Sequence, residues 1–387
     1  MNINETGSSR QMNVLEKNLL GVRIEQIFSL VPGLLVACLL AWLSIWLGDF
    51  IGVTLLGFPN SPVSAVMVAI LLGLVIRALI PRCGPLEPGL TFAVKKVLRL
   101  GIIMLGIRLT IFSVFELGAH GVPIVLFCIL SALFLTTRIN KWLGLSEELG
   151  TLIAVGTSIC GVSAIVATGP AIDAEDEEVA YAVAIITIFG LFATLFYPYF
   201  ANIVFQGEPV KVGLFLGTSV HDTSQVIGSA KVYADVFVAP SALDVATVTK
   251  LVRNVFMAAV IPFMSFHYSH KSCDQGEASG KDANLLSLFP LFVLGFLAFV
   301  MLRSIGDASI NAGGQAFGLW DSQAWGRIYR SIQTWAGRLL VVALAGVGLN
   351  TDFRAFKSLG IKPFLVGLAA ALIVGGVSFV TISFLGI

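Results

Sequence analysis

GTSICGVSAIVA at 156–167 and GTSVHDTSQVIG at 217–228 are the stretches that decide how this chain is read. At an offset of 61, Gly156, Thr157, Ser158 and Ser163 meet Gly217, Thr218, Ser219 and Ser224. Each copy forms the polar, glycine-rich centre of an otherwise apolar run, 150–172 and 211–231. In lipid, glycines release a helix and leave mid-depth N–H and C=O groups without partners. Such groups are tolerated only where they line a cavity or bind something. The repeated break therefore points to a transporter with two discontinuous helices, broken or re-entrant, meeting near the bilayer midplane.

Composition agrees with a membrane setting. Of 387 residues, 57% are hydrophobic and 12% charged, about half the charge of an ordinary soluble domain. The formal charge of +1 gives no stripe for nucleic acid. Five scattered cysteines make neither a disulfide framework nor a zinc signature. Runs near the 20-residue spanning length fall at 28–47, 62–80, 94–114, 121–138, 150–172, 178–205, 211–231, 240–268, 285–303, 332–350 and 363–386. The expected fold is an all-α polytopic membrane protein of about 9–11 membrane segments: a cytoplasmic segment at 1–27, then one transmembrane domain at 28–387.

Orientation follows from short-loop Lys and Arg. The N-terminal segment carries Arg10, Lys17 and Arg23, loop 48–60 carries none, and 77–99 carries Arg77, Arg82, Lys95, Lys96 and Arg99. This sets the N-terminus in the cytoplasm. Arg303, Arg327 and Arg330 break the alternation, and their neighbours Trp320, Trp325 and Tyr329 suggest an interfacial segment. A second alignment pairs 105–123 with 345–363 at an offset of 240. The expected loop at 115–121 has no Lys or Arg, whereas its counterpart has Arg354, Lys357 and Lys362. Opposite charge in matched hairpins is what an inverted-topology repeat predicts. Parity favours re-entry for the polar segments, while their length suits broken crossing helices equally; both remain open.

The chemistry expected of the breaks is an anion cradle. Each break leaves a half-helix N-terminus of positive dipole character, beside the hydroxyls of Thr157, Ser158, Ser163, Thr218, Ser219 and Ser224. Lys250 and Arg253, three apart on one helical face, can add positive charge to the anion or snorkel to an interface. Arg108 has the same two readings, and Asn254 and Asn350 are further polar candidates. His221 and Asp222, with Gln225, occupy the second break, where an ionisable pair is a functional hypothesis; we read His221 and Asp222 as the proton-coupling pair. Asp173–Glu178 reads as a solvated helix cap, and 267–274 (HYSHKSCD) as a polar loop. The chain has no HExxH, GxSxG or P-loop, so neither an enzyme nor a cofactor or metal is expected.

GTSICG, then GTSVHDTSQV, then LxTDFxxxxxxGxKP at 349–363 resemble the sulfate exporter family of bacterial membrane proteins, itself similar to the bile-acid, arsenite and sodium–proton transporter group. The resemblance runs from about residue 30 to the end. It implies secondary transport in the inner membrane and carries the substrate site onto Ser158, Cys160, Gly161, His221, Asp222 and Gln225. Asp222 and Ser224 stand where related members often have Glu and Ala. The reading is an exporter of a small anion (sulfate, sulfite or an organosulfonate). The competing readings are a cation–proton antiporter, disfavoured because Asp222 is the lone carboxylate in the breaks, and a membrane subunit of an ion pump. Partner candidates are the lipid bilayer, the anion, a proton or sodium ion, and a second copy in a homodimer.

Overall fold

A computed structural model describes residues 27–57, 61, 63–80, 84–273, 290–351 and 360–384. The expected N-terminal segment and the basic residues Arg354 and Lys357 lie outside the described residues, whereas 267–273, expected as a polar loop, is the helical end of Met257–Cys273. The described chain is nearly all helix. It opens with α1 (Ile27–Asp49), α2 (Ala65–Leu79), α3 (Glu87–Phe92), α4 (Leu98–Leu105) and α5 (Ile111–Trp142). There follow α6 (Glu147–Ser158), α7 (Val162–Thr168), α8 (Asp176–Val204), α9 (Pro209–Ser219), α10 (Thr223–Val236), α11 (Pro240–Val255) and α12 (Met257–Cys273). The last helices are α13 (Phe292–Gly313), α14 (Ser322–Asn350) and α15 (Ile361–Phe384).

Among the described residues, seven helices are long and apolar enough to cross a membrane. The sequence reading of 9–11 counted the two GTS segments, which the structure divides into pieces of 7 to 14 residues. It also counted 62–80, whose helix has 15 residues, and 94–114, which the structure divides into short helical pieces ending at Arg108 before the next helix starts at Ile111. Two expected loops are helical instead. Residues 50–55 continue α1 as a π-helical turn. The expected loop at 115–121 lies inside the 32-residue α5. The real break comes earlier, at Leu109 and Thr110, where Thr110 caps α5 by accepting from the Ser113 amide at 3.3 Å. Its counterpart in the repeat is the end of α14 at Asn350.

The region 303–331, expected to lie along an interface, instead extends α13 and α14 and joins them by a small antiparallel hairpin, Gln315–Ala316 with Trp320–Asp321. Asp307 accepts from Arg303 Nε at 2.6 Å and from Trp325 Nε1 at 2.8 Å, and the Arg303 guanidinium lies 3.8 Å over the Tyr329 ring. One carboxylate and one aromatic face thus neutralise a charge that positive-inside counting had found out of place. The acidic run behaves as read. Glu175 and Glu178 form a capping box at the start of α8, where carboxylates complement the positive helix end.

Helices α5 to α12 with α15 pack into one group, and α1 to α4 with α13 and α14 into another. Small residues permit close crossings. A Cβ on Gly73 of α2 would come within 2.9 Å of the Gly348 backbone in α14, so these helices touch backbone to backbone. The two groups meet along a cavity, which is the setting of the site.

Candidate functional site

Helix α6 stops at Ser158 and α7 starts at Val162; α9 stops at Ser219 and α10 starts at Thr223. The two interruptions fall at equivalent positions of the aligned sequences, and they touch. Gly161 has φ +70° and ψ −126°, a backbone conformation favouring glycine. A Cβ there would sit 3.0 Å from the Cα, Cβ and Oδ2 of Asp222. The first break thus needs glycine both for its turn and for its approach to the second.

The hydroxyls lie differently from the expected cradle. Thr157, Ser158, Thr218 and Ser219 belong to the last turns of α6 and α9, at negative helix ends. Each hydroxyl donates back into its own helix: Thr157 to Ile153 O at 2.6 Å, Ser158 to Val155 O at 3.2 Å, Thr218 to Leu214 O at 2.7 Å and Ser219 to Phe215 O at 2.5 Å. Back-bonding of this kind is the usual recourse of Ser and Thr inside a helix. All four side chains are fully buried.

Helix ends leave orphan carbonyls, and here α11 supplies the donors. Arg253 gives Nε to Ser158 O at 2.6 Å, Nη1 to Thr218 O at 2.6 Å and Val220 O at 3.0 Å, and Nη2 to Thr157 O. Lys250, one turn earlier, donates to Ile159 O at 2.7 Å, to Val220 O at 3.5 Å and to His221 O. Both cations are 0% exposed. Buried charges need compensation, and theirs comes from two helix C-termini of about −0.5 charge each. Neither alternative of the sequence reading describes them: they neither snorkel nor stand free for an anion, but staple the two breaks together. Arg108 is also committed elsewhere. It binds Asp244 of α11 through Nε at 2.5 Å and Nη2 at 3.0 Å.

His221 and Asp222 do not form a pair. Val220 and Asp222 have extended backbone (ψ 138° and 148°), so neighbouring side chains in this stretch alternate in direction. The His221 side chain is buried and does not line the cavity, and its Nδ1 has no hydrogen-bond partner. Asp222 faces the cavity and caps α10. Its Oδ1 accepts from the Ser224 amide at 2.9 Å and from the Ser224 hydroxyl at 2.5 Å. Gln225 completes the cap, accepting from the Asp222 amide at 3.2 Å and donating to Thr187 O at 3.1 Å.

The cavity measures about 580 Å³. Of the residues expected at the site, Cys160, Ser163, Asp222, Ser224 and Gln225 line it, as do Asn254 and Asn350. Gly161 shapes the wall, while Thr157, Ser158, Thr218, Ser219, His221, Lys250 and Arg253 lie behind it. Two cations that we read only as topogenic charges, Lys95 and Arg99, also line the cavity. They sit on the continuous helical stretch of α3, the π-helical turn Ala93–Val97 and α4. Both are exposed to the cavity, and Arg99 lies 5.7 Å from the Phe292 ring centroid. Their spacing of four, with Lys96 between them, was the available signal, since it puts both on one helical face. A π turn at a functional site is a recurrent arrangement.

Residues 32–367 match the family described as "Conserved hypothetical protein 698", and a UPF0324 membrane protein of Bacillus cereus is 32% identical over 324 residues, 83% of this chain and 86% of the relative. The chain belongs to the UPF0324 membrane protein family. UPF0324 membrane proteins of Corynebacterium glutamicum (33% over 321 residues, 82% of this chain and 84% of the relative) and Streptococcus pneumoniae (30% over 336 residues, 87% and 91%) are similar to it over the same range of coverage. No solved structure matches it. The family-model match at 32–367 spans both breaks, the α11 staple and the cavity wall from Lys95 to Asn350.

Proposed function

We propose that this UPF0324 protein is a secondary transporter that exports a small anion, with the cavity between the two breaks as its substrate site. The observation that carries this reading is the charge on the wall. Lys95 and Arg99 face one carboxylate, Asp222, which leaves one positive charge in excess, and Asp222 already accepts two hydrogen bonds from Ser224. Excess positive charge in a partly enclosed, low-dielectric space favours anions over cations. Cation–proton antiport would want more carboxylates at the same wall. The two breaks belong to one packing group and the cations to the other, so rocking of the groups about the cavity gives a route to alternating access. Inverted repeats, discontinuous membrane helices and an inner-membrane location with a cytoplasmic N-terminus are parts of the same reading. Proton coupling is assigned to Asp222, the break carboxylate at the cavity wall, and no longer to a His221–Asp222 pair.

The test is flux in proteoliposomes loaded with radiolabelled sulfate, sulfite, a short organosulfonate or sodium. Anion flux is expected, with Arg99→Gln reducing it at least tenfold, the equivalent of about 1.4 kcal/mol. Sodium flux without anion flux would overturn the reading. Topology reporters at Thr110 and within 352–359 should appear on opposite sides of the membrane; the same side would remove the inverted repeat.

A further inference from the structure

Resting on the transport reading above, we infer that the substrate is a monovalent organic anion with an apolar body, and that a bare divalent oxyanion such as sulfate is a poor ligand. Three observations converge on this. The first is charge: two cations against one carboxylate leave a balance of +1 at the wall, matching a single negative charge. The second is size. A cavity of about 580 Å³ lies within the range of roughly 300–1,000 Å³ that holds molecules of drug size, far beyond a five-atom ion.

The third is the character of the wall. Val94, Leu98, Ile102, Met257, Phe292 and Val347 line the same space. Inorganic sulfate needs hydrogen-bond donors on every side to replace its water, and apolar side chains supply none. The break residues that have donors have largely spent them. Gln225 donates to Thr187 O, the Ser224 hydroxyl donates to Asp222, and the Asn254 amide donates to Thr223 Oγ1 at 3.3 Å. Lys95, Arg99, the hydroxyls of Ser163 and Thr223 and the Asn350 amide remain for the ligand, all on a wall otherwise mostly apolar. They suffice for one sulfonate or carboxylate group. The Phe292 ring beside Arg99 offers an apolar face next to the cation, so a ligand joining a charged head to a hydrocarbon body can satisfy both at once.

The experiment uses the purified full chain with a homologous series: methane-, butane- and hexanesulfonate, benzenesulfonate, inorganic sulfate, and hexyltrimethylammonium as the charge-reversed control. Binding is read by calorimetry and transport by counterflow in proteoliposomes. Affinity should rise along the alkanesulfonates by up to about fourfold per methylene, the value for full burial, and sulfate should bind more weakly than butanesulfonate. Phe292→Ala should flatten the chain-length dependence while leaving methanesulfonate little changed, and Arg99→Gln should weaken every anion alike. Sulfate binding as tightly as hexanesulfonate, or a flat series in the wild type, would overturn this inference and leave anion transport standing. Binding of the ammonium control with no anion bound would overturn both.

Discussion

Arg253 is the residue whose removal the structure makes most costly. Helices α6 and α9 both end against it, and the carbonyls of Thr157, Ser158 and Thr218 receive its N–H groups in a fully buried setting. Arg253→Met keeps much of the apolar stem and removes all donors. Leaving a buried acceptor unsatisfied costs about 1–3 kcal/mol, so three acceptors amount to roughly 3–9 kcal/mol. That is comparable with the entire stability of many proteins, about 5–15 kcal/mol. The variant should fail to give a monodisperse peak in fluorescence-detected gel filtration, or do so only after rescue at low temperature. Arg253→Lys keeps the charge, but its ammonium is compact and cannot fork to two helix ends; it should be intermediate. Where protein is recovered, hydrogen exchange should rise at 156–163 and 217–225 together, because one side chain holds both. An Arg253→Met protein with wild-type elution and wild-type exchange at both breaks would refute the staple.

Other expectations follow from the same geometry. Gly161→Ala should lose about 2–6 kcal/mol, combining a disfavoured backbone conformation with overpacking against Asp222, whereas Gly144→Ala, at φ +70° with no atom within 4 Å, should lose only about 1–2 kcal/mol. Equal melting temperatures for the two variants would mean that the breaks do not meet at Gly161. Asp222→Asn keeps a capping side chain and raises the wall balance from +1 to +2, so stability should change by less than about 1 kcal/mol while the ratio of sulfate to methanesulfonate binding rises and the pH dependence of transport falls; an unchanged ratio would remove Asp222 from the cavity. A double-mutant cycle of Arg108→Gln and Asp244→Asn should give a coupling of about 1–2 kcal/mol for this part-buried bidentate pair, and additivity in thermal melts would count against it.

The repeat was the most legible feature. Aligning GTS with GTS located the ends of α6 and α9 at equivalent serines, because glycine and clustered hydroxyls weaken a helix wherever they fall. The direction in which those hydroxyls would point was misread. Dipole reasoning looked forward to the next half-helix, while a Ser or Thr in a last turn satisfies itself backwards, on a carbonyl it already touches. Lys250 and Arg253 were found by their spacing, but their partners are backbone groups, which carry no signature in a sequence. In the sequence alone Lys95 and Arg99 read as topogenic charges. Their role depends on α3 and α4 lying across from breaks that come more than 55 residues later. The helix through 115–121 was lost for a simpler reason. Gly118, Gly121 and Pro123 read as a turn in water, yet α5 carries all three within its length.

The charges divide into two sets with different duties. Lys250 and Arg253 come from α11, inside the group that contains both breaks, and their donors are spent on that group's own carbonyls. Moving this group as a body leaves every one of those bonds intact. Lys95 and Arg99 belong to the opposite group and meet the breaks only across the cavity. The distance from them to Asp222 and Ser163 is therefore the quantity that a displacement of one group against the other would change. A staple wholly within one body and a ligand-facing pair wholly on the other allow motion without breaking the buried network, whose partial rupture would cost several kcal/mol. On the transport reading, a bound anion between the cations and a break, together with the Arg108–Asp244 pair that joins the two groups, is a contact that such motion would vary. The anion's affinity then depends on the relative position of the groups, which is the differential interaction that any substrate-driven change of state requires.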